Sequence, residues 1–70
     1  METDQWGRRI KAFRKLKGFT QERLAYQLGI SVSVLGEVER GNRPLSDELL
    51  KDISEILRIQ ADELRPLEKK

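Results

Sequence analysis

Neither cysteine nor histidine occurs in the 70 residues. The first absence removes disulfides and thiolate chemistry, and the second removes the usual general base near neutral pH. Soft metal ligands are missing with them, so no metal site and no cofactor is expected, and packing alone must hold a domain of this size. Such small domains often gain stability by pairing with a second copy. Long apolar runs are also lacking. The opening METDQWGRRI is charged and has nothing like the roughly 7 to 15 apolar residues of a secretory signal. No stretch approaches the roughly 20 apolar residues needed to span a bilayer. The expectation is a soluble, cytoplasmic protein with no membrane partner, since a chain free of cysteine is compatible with a reducing compartment. Carboxylates are plentiful, at 12, but they fall in helix first turns or beside Lys and Arg, where solvated faces explain them. No catalytic residue and no small-molecule substrate is expected.

What charge there is lies unevenly. The net value of +2 says little, but residues 1–17 hold six bases against two acids. Residues 18–44 balance at three of each, and residues 45–70 hold five bases against seven acids. One positive end beside a balanced middle suits a face turned to a polyanion, although a solvated helix face has the same composition.

Apolar spacing and helix punctuation predict five helices, no strands and a single domain over residues 1–70. The first runs from about Asp4 to Lys17, with Trp6, Ile10, Phe13 and Leu16 facing a core; Gly18 ends it and Phe19 packs in the loop. The segment TQERLAYQLGISVSVLGEVERG then spells two short helices, with Thr20 capping one and Ser31 the next. Leu24, Ala25 and Leu28 line one face of the former, Leu35 and Val38 the inward stripe of the latter. Gly29 supplies a left-handed helix end, Ile30 buries the turn, and Gly41 stops the third helix. Ala25 is small where the two helices cross. Asn42, Arg43 and Pro44 form an exposed connection. Ser46 caps a fourth helix whose apolar face is Leu49, Leu50, Ile53, Ile56 and Leu57. A short fifth helix covers Ala61 to Leu64, is ended by Pro66, and leaves Leu67 to Lys70 to fray.

Two helices pinned at a steep angle by a short Gly-containing turn make a helix-turn-helix, here over residues 21–40, which lays its second helix in the major groove of double-stranded DNA. The outward face of that helix carries Val32, Ser33, Gly36, Glu37 and Arg40. Val32 can pack on a thymine methyl, Ser33 can bond a base edge, and Glu37 can accept from cytosine N4. Gly36 reads either as close approach of backbone to DNA or as tight contact with another protein element. Thr20 and Gln21 open the second helix, where free amides can hold a phosphate. Gln21 also reads as an ordinary helix former. Arg40, Asn42 and Arg43 are the other candidate backbone contacts, and Arg8, Lys11 and Lys15 add long-range attraction or only solubility. This reading face is short of Arg, Asn and Gln, the side chains that grip bases in pairs of hydrogen bonds.

The stretches IKAFRKLKGFTQERLA, LGIS, ERG and ADEL resemble the Xre or lambda-repressor-like helix-turn-helix family, the group of Cro and cI-type repressors. The resemblance spans about residues 6 to 65. It implies an all-α, compact five-helix domain that binds operator DNA, usually as a symmetric dimer. It assigns Gln21 to the DNA backbone, Val32, Ser33 and Glu37 to base reading, Gly36 to a small position facing the groove, and Arg14 with Glu39 to an internal ion pair joining the first and third helices. Val32 and Glu37 depart from the Gln, Arg, Lys or Asn common there, so base preference does not carry over. The function expected is a sequence-specific transcriptional regulator, a repressor acting as a homodimer. The alternative is a protein-interaction module on the same fold, an antitoxin or adaptor, using Val32, Val34 and Gly36 as a contact patch.

Overall fold

Hydroxyls at Thr20, Ser31 and Ser46 and left-handed residues at Gly18, Gly29, Gly41 and Arg58 set most of the element boundaries. The computed structural model describes residues 2–65, with side chains from residue 5 onward. The expected stop at Pro66 and the fraying of Leu67 to Lys70 lie outside the described residues. Five helices follow in order: α1 (Glu2–Leu16), α2 (Gln21–Leu28), α3 (Val32–Glu39), α4 (Asp47–Leu57) and α5 (Ala61–Leu64). No strand occurs among the described residues. The first helix starts two residues before the expected Asp4 and ends one before Lys17, within the usual uncertainty of helix ends.

Three caps use side-chain oxygen to satisfy amides that the helices themselves leave open. Thr20 Oγ1 accepts from the Arg23 amide at 3.0 Å, Ser31 Oγ from Val34 at 3.1 Å and Ser46 Oγ from Leu49 at 3.0 Å. Each cap is worth about 1 kcal/mol. At the other end of α2, Gly29 takes φ +75 and donates to the Tyr26 carbonyl, while Ile30 donates to that of Ala25. This turn fixes the angle between α2 and α3. The end of α4 has no glycine, and Arg58 itself adopts the left-handed well at φ 60, ψ 49. A side chain there costs roughly 1 to 2 kcal/mol, partly offset by the extra unfolded-state freedom a glycine would bring. Arg58→Gly is expected to stabilise the fold by about 0.5 to 1 kcal/mol, seen as a melting midpoint a few degrees higher; an unchanged or lower midpoint contradicts the strain.

Every helix sends a residue to one core: Ile10 from α1, Leu24 and Ala25 from α2, Leu35 and Val38 from α3, Ile53 and Leu57 from α4, Leu64 from α5. Trp6, Phe13, Phe19, Leu28 and Ile30 pack around it. Leu16 departs from expectation, being 74% exposed. At 100° per residue it lies roughly 120° round the helix from Ile10, whereas Phe13 and Arg14 stand within about 60° of it. Arg14 takes the inward place instead and is buried. Two further features tie α1 down. Gly7 lies against the last turn of α3, where a Cβ would stand 2.5 Å from the Glu39 carbonyl oxygen. Arg9 donates through Nε and Nη2 to the Glu63 carbonyl at 3.0 and 2.6 Å, clasping α5 to α1, and its guanidinium sits 5.6 Å from the Phe13 ring centre.

Candidate nucleic-acid interface

The position of α3 is fixed from inside the molecule. Arg14 Nε donates to Glu39 Oε2 at 2.6 Å and Nη2 to Glu39 Oε1 at 3.2 Å, while Nη1 donates to the Phe19 carbonyl at 2.8 Å. The side chains are 8% and 2% exposed, so the last turn of α3 is held to α1 by a two-pronged bond away from water. Gln21 Nε2 adds a third donor to the same carboxylate, reaching Glu39 Oε1 at 3.0 Å. No buried side-chain polar atom among the described residues lacks a partner. The carboxylate of Glu39 therefore joins α1, α2 and α3, and it faces inward rather than toward a ligand.

Outside this knot, α3 offers an open flank. Val32 is 40% exposed, Ser33 is exposed and Glu37 is half-buried, so all three stand on the outer side of the helix. Glu37 has a partner that its sequence position did not suggest. Arg43, arriving from the loop after α3, brings Nε to 2.9 Å and Nη2 to 2.8 Å of Glu37 Oε1. Both side chains remain close to half exposed, and such a surface pair contributes less than about 1 kcal/mol. Its consequence is electrostatic: the acid on the reading face is neutralised by a neighbour. Glu37 Oε2 remains to accept a hydrogen bond from a base amino group, and Arg43 keeps three of its five N–H donors.

Gly36, which the sequence reads either as close approach of backbone to DNA or as tight contact with another protein element, is buried. Arg40, one turn on, folds back over it, so that Nη1 lies 3.1 Å from where a Cβ would be; Gln21 Nε2 lies 3.7 Å from the same point. The contact is with this chain's own side chains. The apolar patch of Val32, Val34 and Gly36 is broken for the same reason, since Val34 is half-buried and Gly36 has a guanidinium above it.

The remaining candidates flank α3. Thr20 and Gln21 stand at the start of α2, Thr20 exposed and Gln21 half-buried. Asn42 and Arg43 are exposed just beyond the C-terminal end of α3, the end that Gln21 also reaches through Glu39, and the Asn42 amide donates to the Glu37 carbonyl at 2.9 Å. The arrangement is chemically simple: a short rigid rod with a mixed apolar and polar edge, bordered by hydrogen-bond donors and guanidinium groups. Sequence reasoning missed the Glu37–Arg43 pair. A spacing of six residues across a helix end gives no helical-face signal, so only the path of the loop discloses it.

Known proteins share this architecture. The helix-turn-helix family model matches residues 10–64. Over 69 residues the chain is 62% identical to YazB of Bacillus subtilis (strain 168), called an uncharacterized HTH-type transcriptional regulator; the alignment covers 99% of this chain and all of YazB. Among solved structures, the restriction-modification controller protein C.AhdI of Aeromonas hydrophila superposes with a TM-score of 0.84 at 35% identity, covering 89% of this chain and 94% of that one. The clp gene regulator ClgR of C. glutamicum does so at 0.88 and 30%, covering 91% and 83%. Likeness that runs nearly end to end in both sequence and backbone leaves a single assignment: the chain belongs to the helix-turn-helix family of transcriptional regulators.

Proposed function

We propose that this chain is a sequence-specific, DNA-binding transcriptional regulator that inserts α3 into the major groove. The observation that carries the reading is the exposed Val32–Ser33–Glu37 flank on a helix locked from behind by Arg14, Glu39 and Gln21. A reading helix must be rigid because base discrimination rests on hydrogen bonds whose geometry tolerates little play. Groups suited to phosphate border that flank: Thr20 and Gln21 at the start of α2, and Arg40, Asn42 and Arg43 after the last turn of α3. Gln21 spends one amide N–H on Glu39 and keeps the other for a phosphate oxygen. We read residues 1–70 as one DNA-binding domain with no catalytic role and no cofactor. It works in the cytoplasm as a homodimer whose reading helices lie about 34 Å apart on one face of the duplex, and represses by occluding a promoter. No described helix is long and apolar enough to cross a membrane. An adaptor or antitoxin role through the outer face of α3 is less well supported, because the apolar patch it needs is interrupted by Arg40.

The test is selection of bound sequences from a random duplex pool, followed by titration of the recovered site at several salt concentrations. A recovered consensus with affinity falling steeply as salt rises is the expected result. Arg43→Ala and Gln21→Ala should weaken binding to all sequences, the former also reducing the salt slope by about one. Val32→Ala or Glu37→Ala should instead alter which sequences are recovered. Absence of any enriched sequence, or binding indifferent to salt, contradicts the proposal.

A further inference from the structure

Arg40 caps the C-terminal end of α3, and among the described residues its side chain makes no ion pair or hydrogen bond. An unpaired guanidinium on a helix ordinarily extends into water. This one lies back across the helix, its Nη1 3.1 Å and its Cζ 3.8 Å from the point where residue 36 would carry a Cβ. The same point is 3.7 Å from Gln21 Nε2, an amide already oriented by Glu39. Two donor groups, one from α2 and one from the end of α3, therefore converge over a bare α-carbon, beside a Glu39 carboxylate already paired with Arg14.

We propose that Gly36 serves as the seat of the Arg40 guanidinium, so that Arg40 and Gln21 form one clamp for a single DNA phosphate bridging α2 and α3. On this view Gly36 never touches DNA; it is a positioning residue acting through Arg40. The idea rests on the DNA-binding reading above but makes a separate claim about which group does the work. A phosphate is the ligand the chemistry selects, since guanidinium and carboxamide N–H groups are all donors and a phosphate oxygen accepts from several at once. The clamp explains why a residue that weakens helices is placed in the interior of α3. A methyl group at 36 meets only the far end of a flexible side chain, so the fold tolerates it while Arg40 is pushed from its seat.

The test is a double-mutant cycle on the full chain, with Gly36→Ala, Arg40→Ala and the combination, read by binding to the selected duplex and by thermal melting. Arg40→Ala should lose about tenfold in affinity and about one unit of salt slope. Gly36→Ala should melt higher than wild type, as the better helix former, yet bind roughly threefold more weakly, a fraction of the tenfold Arg40 effect. In the Arg40→Ala background the Gly36 substitution should cost nothing more, because the seat is then empty. An equal loss with and without Arg40 overturns the proposal in favour of direct backbone approach to DNA. No loss at all, or a lower melting temperature, overturns it too. Should wild type bind no duplex even at low salt, the regulator reading fails first and takes the clamp with it; binding by wild type and Gly36→Ala alike defeats the clamp alone.

Discussion

Arg14→Met is expected to cost about 3 to 5 kcal/mol, most of the stability of a domain this small. Methionine fills much of the same volume, so lost packing is not the source. The cost comes from Glu39, whose carboxylate stays 2% exposed with only the Gln21 amide still donating to it. The Phe19 carbonyl loses its donor as well. Glu39→Gln should be milder, because the amide keeps an oxygen for Arg14, although it leaves the guanidinium charge without its counter-charge. Replacing both partners, as Arg14→Met with Glu39→Leu, should recover much of the loss, since neither charge is then stranded. Urea denaturation of the three variants checks this ordering. An Arg14→Met protein within about 1 kcal/mol of wild type would mean that the pair is solvated and that α3 is not anchored from behind. DNA binding adds a second readout: the double variant should fold yet bind weakly, because Gln21 has lost the acceptor that aims it.

How far the residues alone disclose this molecule depends on the range of the interaction. Caps at Thr20, Ser31 and Ser46 are contacts of three residues, and each lies where the sequence placed it. The left-handed turn at Gly29 is similarly local, and the apolar stripes that locate α2 to α5 need only helical periodicity. Leu16 shows where periodicity misleads: spaced three residues from Phe13, it nonetheless rotates off a face centred on Ile10. The features that shape the candidate interface are decided over longer distances. Arg43 meets Glu37 because a loop turns back, and Arg40 lies over Gly36 at a point that Gln21 from another helix also borders. Long side chains have several rotamers, and the sequence does not rank them without the neighbouring helix in place. The pairing of Arg14 with Glu39 is different again. It was suggested by family likeness, and in the structure the two are joined by two hydrogen bonds.

Gly7 carries the other large expectation. Helix propensity alone says that alanine at an interior position of α1 should stabilise the chain by about 1 kcal/mol. The structure predicts the opposite sign. A Cβ at residue 7 would stand 2.5 Å from the Glu39 carbonyl oxygen and 2.8 Å from its carbon, and closer still to the Val38 carbonyl oxygen. These are backbone atoms at the end of α3, tied in part by the Gly41 amide that donates to Val38 at 3.1 Å, so relief requires the helices to part. Overpacking of that kind costs about 1 to 3 kcal/mol or more, and a net loss of about 2 kcal/mol is expected for Gly7→Ala after the propensity gain. The displacement would also reach the ion pair, because Gly7 and Arg14 are two turns apart on the same side of α1 and both bear on the last turn of α3. Moving α1 outward stretches the Arg14–Glu39 bonds. Gly7→Ala combined with Arg14→Met should therefore cost less than the sum of the two single losses, since part of the same contact is removed twice. Strict additivity would separate the two contacts, and a Gly7→Ala variant more stable than wild type would show that α1 and α3 are not pressed together at residue 7 at all.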